Sequence, residues 1–202
     1  MATVKDIPAK LVAELRARTG AGMMDCKRAL EQTGGDLEKA IDLLRKTGAA
    51  KADKRAAREA SEGVIGSYIH HDGTIGVLVE LNCETDFVAR TEDFQTLARE
   101  LAVHIAATKP LAVRIEDLPP DVVQREKRVY DEQVAEQKKP ENIRGKIVEG
   151  MLKKFYEDNV LLEQKHVRDE KRTIGELVKE LSAKTGEKIE VRRFVRFELG
   201  GN

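Results

Sequence analysis

The sequence predicts an α+β fold, with a small antiparallel sheet covered by helices and a three-helix module in front of it. Three observations carry this. Over Met1 to Ala50, short runs with apolar residues three and four apart are separated by glycines. Two alternating runs meet at Asp72-Gly73, a strong hairpin signal. The stretch Lys188 to Leu199 alternates again, and between the two β regions lies a long helical stripe.

Each element follows from local signals. Pro8 suits the first turn of a helix whose stripe is Leu11, Val12 and Leu15, and Gly20 stops it. A second helix carries Met23, Cys26 and Leu30 on one side, before Gly34 and Gly35 break the chain. Asp36 is a good N-cap for a third, striped by Leu37, Ala40, Ile41 and Leu44 and expected to close at Gly48. So small a bundle is marginal alone. The run Lys51 to Glu62 (KADKRAAREASE) is charged, Ala-rich and compatible with helix. Its basic residues Lys51, Lys54, Arg55 and Arg58 offer a contact strip, but the balanced charge of the chain favours a solvated linker. Val64 to His70 and Thr74 to Leu81 form the hairpin, with Ile75, Val77, Val79 and Leu81 on one face.

A long helix begins near Thr91, striped by Phe94, Leu97, Ala98, Leu101, Ala102 and Ile105 and ended by Lys109-Pro110. Pro119-Pro120-Asp121 opens a helix to about Gln137, Lys138-Lys139-Pro140 makes a break, and Ile143, Ile147, Met151 and Phe155 mark a second. The pair reads as a thinly apolar helical hairpin over about 121–157, beside the core rather than in it. Thr173 and Glu176 form a capping box for a helix burying Ile174, Leu177, Val178 and Leu181, ended by Gly186. In the last strand Ile189, Val191, Val195, Phe197 and Leu199 are expected to face the core. Glu190, Arg192, Phe194, Arg196 and Glu198 are expected on a charged face.

Composition narrows the function. The 202 residues are 41% hydrophobic and 36% charged, with 36 basic and 36 acidic side chains and a formal net charge of zero. A protein that coats nucleic acid normally carries a basic excess. Five Phe, three Tyr and no Trp are too few for an extended base-stacking platform. No apolar run approaches the roughly 20 residues that span a bilayer. Met1 to Lys10 lacks an apolar segment of signal-peptide length, so a cytoplasmic protein is expected. Cys26 and Cys83 have no metal-type spacing and fit a reducing compartment.

Covalent chemistry finds little support. His70 and His71 are adjacent and point to opposite faces of a strand; His70 with Asp72 falls short of the four ligands structural zinc wants. His104 lies beside an apolar stripe, and the remaining histidine is His166. No nucleophile–base set is grouped, and no phosphate-binding glycine loop follows a strand. No enzyme, cofactor or metal is expected. The segment that draws attention is Thr85-Asp86-Phe87-Val88, between a core strand and a core helix. Either Thr85 or Asp86 caps a short turn and Phe87 packs inside, extending the Phe94 stripe, or Thr91-Glu92-Asp93 starts a fresh helix and leaves Phe87 detached.

The run Asn82 to Arg90 (NCETDFVAR) resembles a signature of the elongation factor Ts family, the nucleotide-exchange factors of translation elongation factor Tu. Leu15 to Lys27 (LRARTGAGMMDCK) resembles the family's other signature, and Gly76 to Glu80 and Arg192 to Glu198 are similar too, so the likeness covers nearly the whole chain in order. It implies a ubiquitin-associated-like module over 1–50, a linker over 51–62 and an α+β core and dimerisation domain over 63–202. Longer members carry two related core subdomains. This chain has room for one and resembles the short form, in which a homodimer supplies the second. Tyr68 and Phe194, aromatics on otherwise polar strand faces, suit such an interface or equally edge packing under the hairpin.

The resemblance further implies that the chain binds elongation factor Tu in its GDP-bound and nucleotide-free states, without direct nucleic-acid or membrane contact. Phe87 is then the wedge near the partner's Mg²⁺ site, Asp86 disturbs the polar contacts holding the metal, and Thr85 and Val88 fix the turn. Arg16, Met23 and Met24 match positions that contact a helix of the GTPase domain, although Met23 also fits the bundle's own core. Two other classes make different demands. A three-helix module binding ubiquitin-like or nascent-chain partners needs no Phe87. An enzyme needs a pocket gathering His70, Asp72 and Glu80.

Overall fold

The structure is a computed structural model and describes residues 7–137 and 140–201, so the expected break at Lys138-Lys139 lies outside the described residues, as do Met1 to Asp6. In chain order the elements are α1 (Ala9–Thr19), α2 (Met23–Gln32), α3 (Leu37–Arg55), β1 (Glu62–Ile69), β2 (Ile75–Cys83), α4 (Asp86–Ala89) and α5 (Glu92–Thr108). A 3-10 turn (Ile115–Asp117) follows, then α6 (Pro120–Glu136), α7 (Glu141–Asn159), β3 (Lys165–His166), β4 (Asp169–Thr173), α8 (Ile174–Thr185) and β5 (Glu190–Glu198). The fold is α+β, with a three-stranded sheet in the order β1-β2-β5. Two units divide the chain. One holds Met1–Gly63, Asn82–Phe94 and Leu177–Glu190; the other holds Val64–Leu81, Gln95–Glu176 and Val191–Asn202.

In the first unit, α1 to α3 close on a core of Val12, Leu15, Cys26, Ala29, Leu30 and Ala40. Gly20 takes the left-handed conformation that ends α1 (φ 67°), and its N–H donates to the Arg16 carbonyl at 2.7 Å. The Asp36 side chain caps α3, accepting from the Lys39 N–H at 3.1 Å. That bond is the first reason its carboxyl stays below the usual carboxylate range. Two expectations need correction here. Met23 does not share the buried side of α2: it is 45% exposed, and Ala29 lies in the core instead. Nor does Gly48 close α3, which runs on to Arg55 through the helix-favouring linker sequence. Gly48 is buried where a Cβ would come within 2.9 Å of the Ala183 Cβ on α8. The glycine permits close approach and does not end the helix.

The basic strip is largely engaged within this unit. Lys51 reaches Asp25 at 2.9 Å, Arg55 donates to the Ser182 carbonyl at 3.0 Å, and Arg58 meets Glu84 at 3.2 Å.

In the second unit the hairpin turns at Asp72-Gly73 as expected. Gly73 has φ 71°, and one Asp72 carboxylate oxygen accepts from both the N–H and the hydroxyl of Thr74. Val77, Val79 and Leu81 are buried on one face of the sheet. Helix α5 covers that face so closely that a Cβ at Gly66 would lie 2.5 Å from the Ala98 carbonyl oxygen. Leu97, Ala98, Leu101, Ala102 and Ile105 are all buried, which is the stripe read from the sequence. Below α5, the His104 Nε2–H faces Gln164 Oε1 at 3.0 Å, and the His104 and His166 rings stack 5.9 Å apart. Helices α6 and α7 pair as the expected hairpin, rooted on Ala112, Leu118 and Val160. The buried residues of the pair are Val134 and Val148, whereas Ile143 at the head of the expected row is exposed. The short β3–β4 hairpin has too few residues for an alternation signal to show.

The parity expected of β5 is corrected. Val191 points inward, but Arg192 and Arg193 are both exposed, and beyond them Phe194, Arg196 and Glu198 are the more buried set. Where the parity changes, the Glu80 carboxylate of β2 takes both outward side chains, Arg193 Nε at 2.7 Å and Arg192 Nε at 3.6 Å. Arg196 then reaches back to the Ala106 carbonyl of α5 at 3.3 Å. Val195, Phe197 and Leu199 therefore face out, with Ile65, Ile69 and Leu78 also exposed.

Candidate partner-binding site

Thr85 to Val88 lie at the end of β2, where the chain makes the single helical turn α4 before α5 starts afresh. Thr85 is the N-cap of that turn; its hydroxyl accepts from the Val88 N–H at 3.4 Å. The same hydroxyl donates to Glu187 Oε1 at 2.7 Å, and the N–H groups of Glu84 and Thr85 both donate to Glu187 Oε2 at 3.1 Å. In return Glu84 accepts from the Lys188 N–H at 2.6 Å, the leading cause of a carboxyl held below its ordinary range. Two strands of chain about a hundred residues apart thus exchange carboxylate-to-amide bonds on either side of the turn. The Cys83 thiol donates to the Thr85 carbonyl at 3.1 Å; burial foremost, with Glu187 nearby, pushes that thiol up to about 11.

Phe87 sits on this held turn and is 78% exposed. It does not extend the stripe of α5, whose first core ring is the fully buried Phe94. The separation comes from Thr91, whose hydroxyl donates to the Val88 carbonyl at 2.8 Å and accepts from the Phe94 N–H at 3.4 Å, ending one turn and capping the next helix. Asp86 is partly exposed and paired with Arg90 at 2.9 Å; Ala89 is the buried member of the turn.

The other anticipated residues fall as follows. Arg16 is exposed on α1; Met23 and Met24 are 45% and 64% exposed at the start of α2. All three project from the bundle rather than fill it. Tyr68 and Phe194 are half-buried on the sheet face that α5 covers, so they are not aromatics on a polar outer face. His70 Nδ1 contacts the Tyr68 hydroxyl at 2.9 Å, Asp72 is taken up by Thr74, and Glu80 by the two arginines, so these three are not brought together. Among the described residues no group of three or more His, Cys, Asp or Glu side chains could hold a metal, and no helix is long and apolar enough to cross a membrane. Sequence reasoning missed Glu187, because nothing in the local pattern after Gly186 announces a contact 102 residues away.

These features define a class: an α+β protein led by a three-helix bundle, whose candidate groups are displayed on a braced turn and a bundle surface. Comparison with known proteins identifies the class further. The family model described as Elongation factor TS matches residues 38–201. The chain is 57% identical over 194 residues to an elongation factor Ts of Thermosipho melanesiensis, covering 96% of this chain and 99% of the relative. It is 55% identical over 195 residues to that of Fervidobacterium nodosum, with the same coverage, and 57% identical over 194 residues to that of Geobacter metallireducens, covering 90% of the relative. The chain belongs to the elongation factor Ts family of translation elongation factors.

Proposed function

We propose that the chain is a guanine-nucleotide exchange factor that binds elongation factor Tu in the cytoplasm and promotes release of its GDP. The observation that carries this reading is Phe87: a large apolar ring held out in solvent on a turn capped by Thr85 and bonded to Glu187. Exposure of one apolar residue is ordinary, but a braced one at the tip of a family signature is available for insertion. Burying a Phe side chain is worth roughly 1.5–3 kcal/mol. Linkage converts such contacts into exchange. A factor that binds the nucleotide-free partner more tightly than the GDP-bound partner weakens GDP binding by the same ratio. Each tenfold weakening requires about 1.4 kcal/mol of differential contact.

In this reading Phe87 enters the partner near its Mg²⁺ site, and Asp86, freed from Arg90, competes for the polar contacts that hold the metal. Thr85 and Val88 keep the turn closed. Arg16, Met23 and Met24 dock the bundle on the GTPase domain; two flexible thioethers adapt well to a helix surface. No residue of the chain makes or breaks a covalent bond.

We also propose a homodimer, formed through the outer face of the sheet. Ile65 and Ile69 on β1, Leu78 on β2, and Val195, Phe197 and Leu199 at the end of β5 give that face an apolar surface, a better candidate than Tyr68 and Phe194. A second copy supports the one-core short form, because a twofold axis lets the same face meet itself.

Release of fluorescent GDP from elongation factor Tu in excess Mg²⁺ tests the exchange reading. Strong acceleration by the wild-type chain, lost in a folded Phe87→Ala variant, is the expected result. A folded wild-type chain that leaves the release rate unchanged refutes it.

A further inference from the structure

We infer that Glu187 is a positioning residue for the Phe87 wedge, and that the loop after α8 sets how well the turn works; this rests on the exchange reading above. Glu187 bonds to the turn through Glu84 and Thr85, the residues that lead into it and cap it. Its carboxylate accepts three bonds there: the Glu84 and Thr85 N–H groups on Oε2 at 3.1 Å and the Thr85 hydroxyl on Oε1 at 2.7 Å. Because the hydroxyl points its hydrogen at Glu187, its lone pairs are left for the Val88 N–H, which closes the turn under Phe87. The carboxylate therefore orients the cap, and the cap orients the ring.

Glu187 is itself held. Gly186 ends α8 in the left-handed region (φ 78°), its N–H donating to the Ser182 carbonyl at 3.0 Å, and the Ser182 hydroxyl donates to the Glu187 carbonyl at 2.5 Å. The neighbouring Lys188 N–H bonds Glu84 at 2.6 Å, and Arg58 of the charged segment after α3 meets the same carboxylate at 3.2 Å. The brace thus reaches the turn from the loop that follows α8 and from the segment that follows α3. A carboxylate is suited to this work: it offers acceptors only, and three donors converge on it.

Three variants separate this proposal from the reading it rests on. GDP release is measured against rising concentrations of wild-type, Phe87→Ala, Glu187→Ala and Glu187→Gln chains, giving a maximal rate and a half-saturating concentration for each. Glu187→Ala is expected to lower the maximal rate about tenfold or more, since it removes charge-assisted bonds. The half-saturating concentration should stay within about twofold, because the bundle surface that docks is untouched. Glu187→Gln, which keeps one acceptor oxygen, should fall about threefold. Backbone hydrogen exchange should quicken at Thr85 and Val88 in both variants and stay unchanged along α1.

If the wild-type chain does not accelerate release, the exchange reading fails. If the wild-type chain accelerates release and Phe87→Ala does not, yet both Glu187 variants keep the full maximal rate, only the present inference is overturned. A rise in half-saturation alone overturns it too, since that is docking and not positioning. Should Glu187→Ala fail to fold, Glu187→Gln carries the same decision.

Discussion

Replacing Phe197 by Thr tests the outer sheet face as a dimer interface. Threonine keeps the strand preference of β5 while removing the ring. Phe197 is 66% exposed, so the free protomer loses little packing. Covering that exposed share on association recovers about two-thirds of the roughly 1.5–3 kcal/mol of a fully buried Phe, or about 1–2 kcal/mol per protomer. A twofold interface counts each residue twice, so the dimer loses about 2–4 kcal/mol. Its dissociation constant should rise about 30- to 1,000-fold. Sedimentation equilibrium over a wide concentration range measures this directly, with circular dichroism to show that the strand is intact. A folded variant with the wild-type dissociation constant refutes the reasoning, as does a wild-type chain that stays monomeric at its highest soluble concentration.

Gly66→Ala should destabilise the fold, because its Cβ would meet the Ala98 carbonyl oxygen at 2.5 Å and neither backbone can yield freely. Overpacking of this kind costs roughly 1–3 kcal/mol, a fall in melting temperature on the order of 5 °C for a chain this long; an unchanged thermal transition would contradict the packing of α5 on β1. His104 gives a pH dependence. Burial first, and the neighbouring His166, hold its ring below the ordinary histidine range, and its Nδ1 is buried without a hydrogen-bond partner among the described residues. The unfolded chain therefore binds the proton more readily, and stability from this site is complete above a pH of about 6.5 and falls as the pH drops through that value toward the folded pKa. Urea midpoints should decline between about pH 7.5 and 5.5, above the carboxylate range; a flat profile there would argue that the ring is not held neutral.

The elements that were legible in the sequence are those whose determinants are local. The stripe of α5, the Asp36 cap, the Asp72-Gly73 turn and the Thr173–Glu176 box each put cause and effect within a few residues. What was not legible depends on partners far along the chain. Gly48 looks like a helix stop until Ala183 is seen against it. The alternation of β5 reads as one uninterrupted face until two consecutive arginines are seen exposed together, both paired with Glu80 of a distant strand. Phe87 fits either a packed or a displayed reading, since seven residues separate it from Phe94 and a continuous helix would stack them on one face. The deciding residue is Thr91, and its side chain serves both segments at once.

The same distant contacts explain how an exposed ring can be kept exposed. A Phe on a loose loop has a lower free-energy option nearby, which is to fold back on apolar surface. Here the turn is closed by Thr85, detached from the α5 stripe by Thr91, and tied by Glu187 and Glu84 to the chain after α8. Those bonds form when the protein folds, so the ordering of the turn is complete before any partner arrives. On the proposed exchange reading, a side chain presented this way would lose little conformational freedom on docking, and more of its burial energy would remain to drive a change in the partner. The sensitivity of the turn should then lie in its bonds as much as in its ring: a Glu187 variant that keeps Phe87 but loosens Thr85 has the apolar surface still, and lacks the direction in which to apply it.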